Sequence, residues 1–157
     1  MAQGARTVLA RLGQLGLSLA TCESVTGGGI GWVLTSVPGA STVFRGGLIT
    51  YASDLKCTLA GVDAEQVAAH GVINELTARQ MAAGARRVCR ADVAVSVTGT
   101  AGPDGEDGTP PGCVWLCVQT PTRTLVRQLS LHGGRAEIRR ASVRAGFELV
   151  VDALAEA

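Results

Sequence analysis

The fold is decided by residues 17–29, which run Leu-Ser-Leu-Ala-Thr-Cys-Glu-Ser-Val-Thr-Gly-Gly-Gly. The first six residues are a mainly apolar run that predicts a β-strand, and the strand breaks at Glu23. The three glycines lead into an apolar helix through Trp32 and Leu34. A strand, a glycine-rich loop and a helix in this order aim backbone N–H groups at one point, which favours an anion. The spacing fits neither a dinucleotide-binding loop nor a P-loop, so this loop alone identifies no ligand.

The pattern along the rest of the chain predicts an α/β fold. Helices are expected over residues 3–16, 53–59, 74–90 and from 135 onward, and strands over residues 43–51, 91–97, 113–120 and 124–132. Strands and helices intermix and the last two strands form a hairpin, so we expect a mixed sheet covered on both faces. A length of 157 residues suits one domain, predicted as a single three-layer α/β/α domain over residues 1–157.

Two local features refine this prediction. Gly46 and Gly47 lie inside a predicted strand, where glycines mark a bulge or a close approach of another backbone. Asn74 is a good N-cap for the helix over residues 74–90. The apolar residues of this helix are expected on one side, and they are Leu76, Met81, Ala85 and Val88.

The charge of the chain excludes several classes of partner. The formal net charge is +1, and there are only two Trp, two Phe and one Tyr. Nucleic-acid binding favours a basic surface with exposed aromatic side chains, so no nucleic acid is expected as a partner. No apolar run has membrane-spanning length, and Arg6 and Arg11 interrupt the N-terminal apolar pattern, which argues against a secretory signal. We expect a cytoplasmic protein that binds no membrane.

Lys56 is the only lysine and Tyr51 the only tyrosine, whereas thirteen other basic side chains are arginines. Arginine stays protonated at any accessible pH, but lysine shifts its pKa readily and can act as a base. Ser24 in the glycine-rich loop is a possible partner. The residues therefore suggest a serine nucleophile activated by a lysine base. A nucleotide-composition bias toward arginine is the alternative explanation.

The five cysteines predict neither a disulfide framework nor a metal site. Their number is odd, they lack the paired spacing of a zinc site, and His70 and His132 are far apart in sequence. Most of the thiols are expected to be buried. They are Cys22, Cys57, Cys89, Cys113 and Cys117. No structural metal and no cofactor are expected.

Ordered blocks of sequence extend from Leu19 to the last helix. They include Ala20-Thr21-Cys22-Glu23-Ser24-Val25-Thr26-Gly27-Gly28, Gly46-Gly47-Leu48-Ile49-Thr50-Tyr51, Lys56, His70-Gly71-Val72 and Val97-Thr98-Gly99-Thr100-Ala101-Gly102-Pro103-Asp104-Gly105. Together these blocks resemble the C-terminal domain of the CinA competence/damage-inducible proteins, a domain that also occurs alone as nicotinamide-nucleotide amidase.

The resemblance implies a hydrolase that cleaves the amide of nicotinamide mononucleotide to nicotinic acid mononucleotide and ammonia. It implies that Ser24 is the nucleophile, with Lys56 as its base and Tyr51 close by. Backbone N–H groups from Thr26 to Gly28 would stabilise the oxyanion. Glu23 would either orient the loop or take part in proton transfer. Substrate contacts are implied for Thr26, Gly27 and Gly28 in the loop, for Thr98-Gly99, and for Arg139 and Arg140 toward the phosphate.

The sequence departs from the family pattern at two places. Val25 stands where the family usually has cysteine, and valine cannot be a nucleophile, which favours Ser24. The segment Tyr51-Ala-Ser-Asp-Leu-Lys56 lacks the asparagine of the family pattern, so affinity or specificity is expected to differ. A homo-oligomer is expected. The alternative function is a non-catalytic regulatory or interaction module related to competence or the DNA-damage response.

Overall fold

The computed structural model describes residues 1–155. Its α-helices are α1 Ala2–Leu15, α2 Gly29–Thr35, α3 Ser53–Thr58, α4 Ala64–His70, α5 Glu75–Cys89 and α6 Arg135–Leu154. Its strands are β1 Leu19–Glu23, β2 Phe44–Ile49, β3 Val93–Gly99, β4 Cys113–Gln119 and β5 Thr124–Ser130. A 3₁₀ turn at Ala40–Thr42 precedes β2. Within the described residues, no helix combines the length and the apolar character that a membrane span requires.

The strands form one mixed sheet in the order β2-β1-β3-β4-β5. The first three strands in this order are parallel, and β4 and β5 continue the sheet antiparallel as a hairpin. Every residue of β1 and β3 is buried, as expected of strands covered on both faces. The carboxyl ends of β1, β2 and β3 meet at one edge, and α/β proteins bind ligands in the crevice outside such ends.

Helices cover both faces of the sheet and so confirm the predicted three-layer α/β/α arrangement. On one face α1, α2 and α6 enclose a core that includes Leu12, Ile30 and Phe147. On the other face α5 packs Met81 and Ala85 against the sheet, together with the segment after α3. Each large aliphatic side chain buried in these cores contributes about 1.5–3 kcal/mol relative to an exposed position.

The expected apolar side of α5 is wrong in two of its four residues. Met81 and Ala85 are buried, but Leu76 and Val88 are each 47% exposed. Leu76 lies nine residues before Ala85, about two and a half helical turns, and therefore on the opposite side of the helix. Val88 lies in the last turn, beside the helix end at Cys89. The predicted N-cap is confirmed, because the Asn74 side chain accepts a hydrogen bond from the N–H of Thr77 at 2.8 Å.

The predicted bulge in β2 is confirmed. Phe44 pairs with Leu19 and Gly46 pairs with Ala20, so Arg45 is the extra residue. Gly46 has φ of 146°, a conformation that favours glycine. A Cβ at Gly47 would overlap the Thr21 side chain. The bulge and this close approach let β2 lie against β1 so that both strands end beside the same crevice.

Gly84 allows α5 to lie directly against the backbone of Ala60, two residues after the end of α3. A Cβ at Gly84 would overlap the carbonyl oxygen of Ala60. The same carbonyl accepts a hydrogen bond from Arg87 at 3.3 Å. The N–H of Val62 donates to the carbonyl of Lys56 at 3.0 Å and so connects this segment to α3. The contact at Gly84 therefore helps to position α3 and its lysine.

We expect Gly84→Ala to lower the free energy of unfolding by about 1–3 kcal/mol, because the new methyl group must displace backbone. Gly13→Ala in α1 is the matched control, since its Cβ would meet only a Val43 methyl at 3.8 Å. The control should be neutral or stabilise the protein by up to about 1 kcal/mol. Urea unfolding of both variants measures the difference, and equal stabilities would refute the close contact.

Candidate active site

Ser24 and Lys56 form a buried pair although they lie 32 residues apart in sequence. Lys56 Nζ lies 3.0 Å from Ser24 Oγ and donates to the carbonyl oxygen of Thr50 at 2.9 Å. Lys56 is only 1% exposed and Ser24 only 7%. The N–H of Ser24 bonds the carbonyl of Val97 at 3.0 Å, which extends the pairing of β1 with β3 by one residue and fixes the serine at the strand end.

Burial lowers the pKa of the Lys56 ammonium, because the charged form loses its hydration. The negative charge of Glu106 acts in the opposite direction but does not cancel this effect. Both oxygens bonded by Nζ are neutral groups, a hydroxyl and a carbonyl. A neutral amine at the same position can accept a hydrogen bond from the Ser24 hydroxyl while one of its N–H groups donates to Thr50. The pair therefore has the geometry of a nucleophile with its base.

Glu23 is buried and its carboxylate organises the glycine-rich loop. It accepts hydrogen bonds from the Thr26 hydroxyl at 2.7 Å, from the N–H of Ile30 at 2.9 Å and from the N–H of Gly31 at 2.8 Å. The anion at the start of α2 is thus a side chain of the protein itself. The strand–loop–helix pattern predicts a site for an external anion, but Glu23 already accepts from the N–H groups of Ile30 and Gly31 at the start of the helix. Of the two roles predicted for Glu23, these bonds fit loop orientation.

The loop between Ser24 and α2 leaves a small set of N–H donors. Gly27 donates to the carbonyl of Ser24 at 2.9 Å and Gly29 to that of Thr26 at 3.2 Å. The N–H groups of Val25, Thr26 and Gly28 have no hydrogen-bond partner within residues 1–155. Those of Val25 and Thr26 follow Ser24 directly in sequence. They are the candidates to stabilise an oxyanion formed at Ser24.

Ser24 opens into a cavity of about 120 Å³. Its lining is mainly polar and consists of Ser24, Val25, Tyr51, Gly99, Thr100, Ala101, Glu106 and Arg135. Pockets for drug-sized ligands usually span about 300–1,000 Å³. The cavity therefore suits the reacting group of a substrate, and the rest of a larger substrate would extend past the rim.

Tyr51 and Arg135 form the rim of the cavity. Tyr51 is 57% exposed, and its hydroxyl accepts a hydrogen bond from Arg135 Nη2 at 2.6 Å. Arg135 Nη1 donates to the carbonyl of Gly102 at 2.9 Å. The start of α6 is held in place by Glu137, whose carboxylate accepts from the N–H of Gly134 at 2.7 Å. A guanidinium with donors left over is thus positioned at the mouth of the cavity.

The structure places Arg139 and Arg140 outside this cavity. Arg139 donates to the carbonyls of Val25 at 3.2 Å and Thr26 at 2.8 Å, so it braces the loop from behind. Arg140 Nε bonds the Ala136 carbonyl of its own helix. Both line a separate groove between α2 and α6 beside Trp32. Arg135, the cationic residue of the cavity, was not singled out from the sequence.

The remaining predicted residues have different surroundings. Gly99 lines the cavity, and a Cβ there would come within 2.6 Å of the carbonyl oxygen of Cys113. The Thr98 hydroxyl is buried and donates to the carbonyl of Val72 at 2.8 Å, so it joins β3 to the segment before α5. Sequence reasoning also missed Glu106. The only signal for it was the length of its loop, since long loops are often functional.

The two buried thiols are poor nucleophiles. Cys22 and Cys117 are buried, and burial raises the pKa of Cys22 to about 11 and that of Cys117 to about 12. Cys57, Cys89 and Cys113 are half-buried, so burial is more partial than expected. Within residues 1–155 no three His, Cys, Asp or Glu side chains are grouped so that they could hold a metal ion.

The fold and the buried pair define an α/β domain with a Ser–Lys site at the carboxyl ends of its parallel strands. Comparison with known proteins identifies the family. The model of the CinA C-terminal domain matches residues 1–154, and the chain belongs to this family.

Two relatives illustrate the similarity in sequence. A putative competence-damage inducible protein of Lacticaseibacillus casei is 39% identical over 142 residues, which are 88% of this chain and 34% of that protein. A CinA-like protein of Acidobacterium capsulatum is 40% identical over 144 residues, 91% of this chain and 35% of that protein. The chain thus spans about a third of the length of the curated relatives it matches.

Two crystal structures illustrate the similarity in fold. The competence/damage inducible protein CihA of Agrobacterium tumefaciens has a TM-score of 0.93 and 38% identity, covering 98% of this chain and 94% of that one. A CinA superfamily protein of Klebsiella pneumoniae has a TM-score of 0.95 and 27% identity, covering 99% and 98% of the two chains. The similarity therefore extends over nearly the whole domain.

We expect Glu23→Gln to lower the free energy of unfolding by about 1.5–3 kcal/mol, because the amide replaces one acceptor oxygen with an NH₂ group that cannot accept and leaves the other oxygen uncharged. Glu65→Gln is the control, since Glu65 is an exposed residue of α4. Urea unfolding near neutral pH compares both variants with the wild type. A Glu23→Gln protein as stable as the control would show that the buried carboxylate does not hold the loop.

Proposed function

We propose that the protein is a nicotinamide-nucleotide amidase, a hydrolase that converts nicotinamide mononucleotide into nicotinic acid mononucleotide and ammonia. The observation that supports this most is the buried Ser24–Lys56 pair, with 3.0 Å between Oγ and Nζ, whose serine lines a small polar cavity. The resemblance to stand-alone amidases of the family supplies the substrate. No cofactor takes part in the proposed reaction.

In the first half of the proposed reaction, the neutral amine of Lys56 takes the Ser24 proton as Oγ attacks the amide carbon. The carbonyl oxygen becomes an oxyanion, which the N–H groups of Val25 and Thr26 stabilise. The Lys56 ammonium then gives its proton to the amide nitrogen. The carbon–nitrogen bond breaks, ammonia leaves, and an acyl-enzyme on Ser24 remains.

In the second half, Lys56 removes a proton from a water molecule that attacks the acyl carbon. The new tetrahedral intermediate collapses, the bond to Ser24 Oγ breaks, and Lys56 returns the proton to that oxygen. The carboxylic acid product loses its own proton to solvent. Each half begins and ends with a neutral lysine, which is why a lowered pKa at this position favours the reaction.

We assign each part of the substrate to the cavity or to its rim from the positions of the lining residues. The cavity would hold the carboxamide and part of its ring, while the ribose phosphate would lie at the rim near Tyr51 and Arg135. A guanidinium pairs well with phosphate oxygens, and Arg135 retains free N–H groups. Arg139 and Arg140 do not line this cavity, so the phosphate is assigned to Arg135. Gly99 would line the path of the substrate.

A non-catalytic interaction module remains the second candidate. It is supported by relatives named as competence-damage inducible proteins and by exposed apolar side chains, since Trp32 is 72% exposed and Ile49 53%. Such side chains suit contact with another protein. A homo-oligomer and a cytoplasmic location are kept as parts of the amidase proposal.

Ammonia release from nicotinamide mononucleotide tests the proposal directly. We expect Ser24→Ala to lower kcat/KM by at least about 10³-fold and Lys56→Arg by about 10²–10⁴-fold, since arginine keeps the charge but cannot act as the base. Ser53→Ala removes a hydroxyl outside the cavity and should retain wild-type activity. An inactive wild type would favour the interaction module. An active Lys56→Arg variant would mean that the lysine contributes only a positive charge and is not the base.

The pH dependence tests the protonation state of Lys56. Its ammonium must lose a proton before it can act as base, so kcat/KM should rise with pH through the Lys56 pKa, which burial lowers from the free-lysine value of about 10.4. The unfolded state binds this proton more tightly, so the free energy of unfolding should rise with pH over the same interval. Replacing Lys56 with Met should remove both increases. A wild-type rate independent of pH would contradict the assignment.

A further inference from the structure

We propose that Glu106 determines specificity for a primary amide: its carboxylate accepts a hydrogen bond from the amide NH₂ of the substrate and disfavours the carboxylate of the product. This role rests on the proposed amidase function and concerns the same cavity. Glu106 would act by binding and would neither form nor break a bond.

The backbone at Glu106 is fixed although its side chain is free. Its N–H donates to the carbonyl of Thr109 at 3.0 Å, and the N–H of Thr109 donates back to the carbonyl of Glu106 at 2.8 Å. The adjacent Asp107 carboxylate accepts from the N–H of Val72 at 3.2 Å, which joins the loop to the segment before α5. A residue held from both sides in this way can present its side chain to the cavity at a defined place.

The Glu106 carboxylate lines the cavity and has no hydrogen bond or ion pair within the described residues. The nearby Arg135 guanidinium bonds Tyr51 and the Gly102 carbonyl instead. The Lys56 amine bonds Ser24 and Thr50. Glu106 is thus a solvent-exposed acceptor at the edge of the cavity, and neither Arg135 nor Lys56 donates to it.

A primary amide meets the requirements of this cavity and a carboxylate does not. The amide has a carbonyl oxygen, which accepts from the N–H groups at Val25 and Thr26, and two N–H donors that require an acceptor. In the described cavity lining, Glu106 is the only carboxylate. The product replaces the NH₂ with a second anionic oxygen, which would face Glu106 and be repelled. A site that pairs with an N–H group discriminates strongly against an analogue that lacks it.

Two variants separate the hydrogen bond from the charge. Glu106→Gln keeps an acceptor oxygen but loses the charge, so KM for nicotinamide mononucleotide should stay within about threefold while the inhibition constant of nicotinic acid mononucleotide falls about tenfold or more. Glu106→Ala loses both, so KM should rise about tenfold while the product again binds more tightly. Asp104→Asn is the control, because it neutralises a carboxylate in the same loop that does not line the cavity.

The ratio of the two affinities distinguishes specificity from a structural role. A loosened loop would weaken the binding of substrate and product together, whereas loss of the proposed selection strengthens product binding and leaves substrate binding unchanged in Glu106→Gln and weaker in Glu106→Ala. An unchanged ratio in both Glu106 variants would overturn the proposal.

Calorimetry in the Ser24→Ala background makes this test independent of turnover. It measures the binding of nicotinamide mononucleotide and nicotinic acid mononucleotide with and without Glu106→Gln. If the wild type releases no ammonia but the preference for the amide still depends on Glu106, the amidase proposal fails and the specificity proposal stands. If ammonia is released but the ratio does not depend on Glu106, the specificity proposal fails and the amidase proposal stands. Binding of neither ligand overturns both.

Discussion

The desolvation of one amine is the constraint on which this structure depends. Lys56 is buried and its two hydrogen-bond partners are neutral oxygens, so the hydration that its charged form loses is not replaced by a bonded carboxylate. Those oxygens come from Ser24 after β1 and from Thr50 after β2, while the lysine itself comes from α3. The bulge at Arg45 and the contact of Gly84 with Ala60 matter because they bring these three elements together.

A second constraint is the buried charge of Glu23. A carboxylate placed inside the domain must be compensated, and the start of α2 together with Thr26 provides three donors. The field of the helix at the end of the glycine-rich loop therefore acts on the protein's own anion. In the proposed reaction, the N–H groups of the two residues directly after Ser24 remain available to the carbonyl of the substrate. Arg139 donates to the carbonyls of Val25 and Thr26, so it orients the Val25–Thr26 peptide unit, which carries the Thr26 N–H, from the other side.

Much of the fold, and the pairing of Ser24 with Lys56 in the candidate site, could be predicted from the sequence. Periodic apolar residues set the helices and strands, and the uniqueness of Lys56 drew attention to it before any contact was known. The carbonyl of Thr50 gives no such signal, because a backbone atom has no residue type. The prediction that Leu76 lies on the buried side of α5 is wrong, since the sequence alone does not distinguish an apolar residue on an exposed helix face from a buried one.

Which arginine of α6 reaches the cavity, and that Glu106 reaches it, could not be predicted from the sequence. Arg135 and Arg139 are four residues apart on α6 and therefore lie on one side of the helix, so only the position of the helix end decides which of them reaches the cavity. Glu106 reaches it because Asp107 ties the loop to a segment 35 residues earlier in the chain. Contacts of this kind depend on the tertiary fold.

Because Lys56 is the only lysine, the central claim can be measured on a single signal. Protein labelled with ¹³C at lysine Cε should give one resonance from the chain, whose shift with pH reports the protonation of Nζ. The account predicts a midpoint below the ordinary lysine value of about 10.4, with the fold intact across the titration. A midpoint at or above that value would mean that the buried lysine remains an ammonium, and Lys56 could not be the base for Ser24.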